Sequence, residues 1–158
     1  MEKTKYQQLA DLAGAYAEAF LLHRSQCNVE AHALLAAAEA YFEAPAMAFR
    51  LVSLDDRLES RREQPKQLEV VQGLDGYWYF GLALKFEGSR PGYSAATFTV
   101  GLKSSTDEVV VRLSRDLRLP SGSANGRQPV LKEIEDELLQ RYRSPAIDKP
   151  KPLGFVPR

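Results

Sequence analysis

The chain has 158 residues, 44% of them hydrophobic, which is enough for one compact domain and short for two. Lys plus Arg and Asp plus Glu number 21 each, so the sequence lacks the overall basic field that draws a protein to nucleic acid or to an anionic membrane. A single cysteine, Cys27, excludes an internal disulfide framework and fits a reducing, cytoplasmic setting.

Local fields differ. Residues 1–47 carry 3 basic and 6 acidic side chains, residues 48–128 carry 12 and 10, residues 129–143 carry 3 and 4, and residues 144–158 carry 3 and 1. Asp11, Glu18 and His23 interrupt any apolar leader. The longest apolar runs, about six residues, fall far below the roughly 20 needed to cross a bilayer. No membrane partner is expected.

In chain order, Tyr6, Leu9, Ala13, Tyr16 and Phe20 recur at the spacing of one helical stripe, which predicts a first helix. After "HRSQCN", Asn28 is a suitable N-cap for a second, alanine-rich helix that runs to Pro45. Residues 48–60 read as a polar edge strand, with a short helix as the alternative. "QLEVVQ" (67–72), residues 77–87, "AATFTVGLK" (95–103) and "EVVVRLS" (108–114) then follow with a period of two. A closing helix covers 129–142, with Leu131, Ile134, Leu138 and Leu139 on one side. The expected fold class is α+β: two N-terminal helices packed on a four- to five-stranded antiparallel meander sheet, with a C-terminal helix. Residues 1–143 form the domain, and 144–158 an extended, Pro-rich tail whose Leu153, Phe155 and Val156 could dock on this domain, on a second subunit or on a partner's groove.

The turns constrain the register. Gly76 in a left-handed position sets Gly73 against Tyr77 and Val70 against Phe80. A loop centred on Pro91 sets Leu84 against Phe98, Leu82 against Val100 and Phe80 against Leu102. Closure by Lys103 and Glu108 sets Leu102 against Val109, Val100 against Val111 and Phe98 against Leu113. All three agree on one buried face containing Trp78, Phe80, Leu82, Leu84 and Phe86.

On the reverse face this register sets Gly81 beside Gly101, in a shallow groove walled by Tyr77 and Tyr79 and lined by Lys85, Thr99, Lys103 and Arg112. These eight residues are the candidate binding residues. The groove could take a protein, an anionic small ligand held by Lys85, Lys103 and Arg112, or single-stranded nucleic acid stacked on the tyrosines. A solvated face, or a covering helix, is the structural alternative.

Other constellations are sparse. His23, Cys27 and His32 surround the expected helix turn, but lack the four ligands and tight spacing of a structural zinc site. Arginine outnumbers lysine 13 to 8, yet acidic residues interleave with Arg57, Arg61, Arg62, Arg115 and Arg118. No phosphate loop or nucleophile elbow occurs. No catalytic residue, metal or cofactor is assigned. The reading is a self-associating, non-enzymatic interaction module of adaptor, chaperone or inhibitor type. Alternatives are an anionic-ligand protein or enzyme, and a single-stranded nucleic-acid binder.

Overall fold

The computed structural model of the chain describes residues 2–86, 95–104, 108–120 and 127–143. The loop centred on Pro91, most of "SSTD", half of "RLPSGSANGRQP" and the tail 144–158 lie outside the described residues.

One helix, α1 (Lys5–Tyr41, 37 residues), replaces the two expected at the N-terminus. Thr4 and Gln7 open it with a reciprocal capping box: Thr4 Oγ1 accepts the Gln7 N–H at 3.2 Å and Gln7 Oε1 accepts the Thr4 N–H at 2.8 Å. Asn28 is helix interior, not an N-cap. "HRSQCN" contains neither Gly nor Pro, so continuing the helix costs only a few tenths of a kcal/mol per polar residue, roughly. Burial of Cys27, Ala31, Leu34 and Ala38 outweighs that. The helix stops at Phe42, ahead of Pro45.

The six-stranded antiparallel sheet comprises β1 (Phe49–Val52), β2 (Val71–Gln72), β3 (Trp78–Lys85), β4 (Ala95–Ser104), β5 (Glu108–Arg112) and β6 (Asp116–Pro120). Its order is β1-β3-β4-β5-β6, and β2 lies on the same edge of β3 as β1, opposite Tyr79 and Trp78. Residues 48–60 thus begin as a strand, and β6 adds one beyond the predicted set. α2 (Gln128–Arg143) closes the chain.

Both helices sit on the predicted apolar face. Phe80, Leu82, Phe98, Val100, Leu102 and Val111 form one core with Cys27, Leu34, Val130, Leu131 and Ile134. α1 and α2 run side by side, joined by Arg127 Nε and Nη2 to the Glu30 carboxylate at 2.8 and 2.9 Å, and by Tyr41, whose hydroxyl donates to Glu135. Phe86, expected in the core, is 39% exposed and meets the Tyr142 ring at 5.8 Å.

The β2–β3 register is the expected one: Gly76 has φ +83°, the Gly73 N–H donates to Tyr77 O at 2.8 Å, and Val71 opposes Tyr79. The next two registers are shifted by two residues. Leu82 opposes Phe98, Phe80 opposes Val100 and Leu102 opposes Val111. A shift of two leaves every side chain on its face, so burial fixes the parity of pairing and not its absolute register. One consequence is that Gly81 opposes Thr99 and Gly101 opposes Tyr79; the two glycines are not neighbours.

Candidate functional site

Residues 53–70 form an excursion that carries Leu54 and Leu58 to the reverse face, while Leu68 and Val70 stay with the main core. Ser53 is buried; its N–H donates to Gln64 Oε1 at 2.7 Å and its Oγ accepts the Glu69 N–H at 2.9 Å, while Arg61 Nε reaches Leu54 O at 2.9 Å. This brings Leu54 onto Gly81, where an added Cβ would meet Val52 Cβ at 3.2 Å and Leu54 Cδ2 at 3.3 Å. Leu54, Tyr77 and Tyr79, flanked by Leu58, Val71 and Val110, make a second, smaller core. The strip where a groove was expected is occupied by the chain itself.

Of the eight candidate residues, the fold gathers five. Tyr77 and Tyr79 are each only 7% exposed. The Tyr79 ring lies over Gly101, and its hydroxyl donates to Asp75. The Arg112 guanidinium carbon stands 3.7 Å from the Tyr77 ring centroid and Lys103 Nζ stands 5.5 Å from it. Gly81 and Thr99 sit further along the strands, and Lys85 ends β3 away from this group.

Two residues outside the candidate binding set complete the cluster. Arg112 Nη1 donates to Asp75 Oδ2 at 2.7 Å, and its Nε and Nη2 clasp Asp116 at 2.8 and 3.1 Å. Asp75 occupies the β2–β3 turn and Asp116 opposes Arg112 across the tight β5–β6 hairpin. The acidic residue four positions after Arg112 was the one available signal.

Burial works against ionising Asp75, but hydrogen bonds from Tyr79 and the Tyr77 N–H, with the Arg112 charge, hold its carboxyl below the usual range. Arg112 hydrogen bonds do the same for Asp116. Burial, then the neighbouring carboxylates, raise the phenols of Tyr77 and Tyr79. Each group is therefore held in its ordinary neutral-pH charge state. The arrangement is a clasp between two turns, and the Arg112 cation is already shared by two carboxylates.

His23, Cys27 and His32 do not converge. His32 Nδ1 is 2.8 Å from Asn28 O, and the buried Cys27 thiol is pushed up to about 12, chiefly by burial. Among the described residues no group of His, Cys, Asp and Glu side chains could hold a metal ion.

Two other surfaces were not legible as such. First, α1 outruns the sheet. At 1.5 Å per residue the helix is about 55 Å long, whereas the eight-residue β3 covers about 27 Å. The tilted contact of Phe20 with Trp78, 4.9 Å between ring centroids, marks where cover begins. Ahead of it Tyr6, Leu9, Leu12 and Tyr16 are 80, 66, 67 and 71% exposed. The stripe expected to pack on the sheet is, over its first half, an uncovered arm roughly 22 Å long.

The second surface is a hollow of about 890 Å³ between the C-terminal ends of the helices, walled by Phe42, Phe49, Leu84, Phe86, Leu138 and Tyr142, with Lys85 at its lip. Lys103 instead borders a notch of about 300 Å³ beside Tyr16, Phe20, His23 and Trp78. Of the three cations grouped as an anion site, Lys103 and Arg112 share the Tyr77 ring and Lys85 lines the hollow instead. No helix among the described residues is long and apolar enough to cross a membrane. Comparison of the chain with protein-family models, with curated proteins and with solved structures finds no match.

Proposed function

We propose that this protein is a non-enzymatic interaction module that self-associates through the projecting first half of α1. The observation that carries the reading is the arm itself: four large apolar side chains on one helical stripe, each at least 66% exposed. Fully burying such side chains is worth roughly 1.5–3 kcal/mol each, and an association costs roughly 4–15 kcal/mol before contacts are counted. Both arms of a pair contribute, so a reversible dimer is the expected outcome.

Sedimentation velocity over a concentration series tests this. The wild type should pass from monomer to dimer. Leu9→Glu/Leu12→Glu should remain monomeric with an unchanged circular dichroism spectrum, because both positions lie outside the core. A wild type that is monomeric at its highest soluble concentration defeats the reading.

The hollow with Lys85 at its lip favours one second reading, an amphipathic carboxylate held with its tail against Phe42 and Phe49 and its head at Lys85. Laurate should then raise the melting temperature of the wild type and not of Lys85→Glu.

A further inference from the structure

We infer that two copies pair antiparallel along residues 6–23 of α1, with Ala13 of each against Tyr16 of the other and Tyr6 of each seated in the notch at the end of the other's sheet. The inference rests on the self-association reading above and adds to it the partner's orientation and register.

The seam is written in alternating steps of three and four: Tyr6, Leu9, Ala13, Tyr16, Phe20, His23. That is the repeat that keeps one stripe facing a neighbouring helix. It continues directly into Cys27 and Leu34, which are buried on the chain's own sheet. One face of one helix therefore has two halves, the second covered by the sheet and the first by nothing among the described residues.

A second copy fits this half by size. In antiparallel order the layers are Tyr6 with His23, Leu9 with Phe20 and Ala13 with Tyr16, each repeated by the two-fold axis. In the two central layers the bulky Tyr16 meets the small Ala13. Leu12 falls opposite Ala19 at the flank, and Ala10 opposite Ala17. Parallel order would stack Tyr16 on Tyr16 and Ala13 on Ala13, one crowded layer beside one void, which close packing disfavours. Asp11 and Glu18 fall on the outer side of both helices, so no charge enters the seam between Leu9 and Phe20.

The ends fit as well. In this register Tyr6 of one copy reaches His23 of the other, at the notch of about 300 Å³ bordered by Phe20, His23, Trp78 and Lys103. Burying Tyr6, Leu9, Leu12 and Tyr16 of both copies at their observed exposures removes roughly 1,000–1,300 Å² from water, the lower edge of a stable specific interface.

The test is a distance between spin labels on Glu2→Cys in the Cys27→Ala background, read by double electron–electron resonance on the full chain. Antiparallel pairing separates the two labels by 25 residues of helical rise, about 35–40 Å, and parallel pairing leaves them about 10–15 Å apart. As a second measure, mixing Ala10→Cys with Ala17→Cys should give a mixed disulfide dimer on oxidation, and neither variant alone should cross-link. A dimer with the short distance overturns the inference and leaves self-association through the arm standing, whereas a dimer that survives Leu9→Glu/Leu12→Glu overturns both. A monomer overturns both.

Discussion

Replacing Gly101 with alanine should destabilise this protein, although the same change in an ordinary strand stabilises by roughly 0.5–1 kcal/mol. The reason is Tyr79. A Cβ on Gly101 would stand 2.6 Å from Tyr79 Cε1 and 3.1 Å from Cδ1, where carbon atoms in contact sit at about 3.5–4.0 Å. The ring must retreat by about 1 Å, against that contact distance. It has little room to do so: on its other side, the Cβ position of Gly73 is 2.8 Å from Tyr79 Cε2, and the hydroxyl is tied to Asp75. Forcing extra volume into a packed site costs roughly 1–3 kcal/mol. Set against the backbone gain, the net loss is about 1 kcal/mol, within a range of about 0–2.5.

The assay is urea unfolding of the wild type, Gly101→Ala, Tyr79→Ala and the double variant, with the slopes compared to check two-state behaviour. Once Tyr79 is truncated the clash is gone, so adding Gly101→Ala should gain about 0.5–1 kcal/mol. The substitution thus changes sign with its background. If Gly101→Ala raises stability in the wild type, the ring is not lodged between the two glycines and the account of the clasp fails.

Acid should loosen the same clasp. The depressed carboxyls of Asp75 and Asp116 contribute stability that is fully present above the unfolded-state value of about 4 and lost as pH falls through their lower folded values. The urea midpoint should therefore hold between pH 7 and about 4, drop below that, and drop less steeply in Arg112→Gln. A thiol reagent at pH 8 should modify Cys27 only as fast as the core opens, and rapidly in denaturing urea, since burial pushes that thiol up to about 12; fast labelling of the native protein would contradict the burial. In the arm, nothing lies within 4 Å of a Cβ added at Gly14, so Gly14→Ala should slow amide exchange of neighbouring residues about fivefold, the equivalent of about 1 kcal/mol.

Local chemistry was legible wherever one short segment decides the outcome. Gly76 between Asp75 and Tyr77 specified its turn and, with it, the β2–β3 register. The alternation in Trp78, Phe80, Leu82 and Leu84 specified the buried face. Where two choices share the same parity, pattern gave no answer, and the two-residue shifts at β3–β4 and β4–β5 moved Gly101 from Gly81 to Tyr79. That one shift turns an expected open strip into a packed ring. The polar run 53–70 gave no hint that Gln64 would fold back on Ser53 and carry Leu54 over the reverse face, because those bonds join distant backbone to side chains. "HRSQCN" resembled a turn through composition alone; without Gly or Pro, tertiary burial of Cys27 and Ala31 carried the helix through it.

The unbroken passage of α1 from core to arm has a kinetic consequence. A free peptide of the arm's length would be largely coil, since starting a helix carries a penalty of order 10⁻³ in its equilibrium constant. Here the turn nucleated around Cys27 and Ala31 is permanently formed, and the arm need only propagate from it. Whatever meets Leu9 and Tyr16 finds their spacing already set, and encounter spends little free energy on ordering the chain.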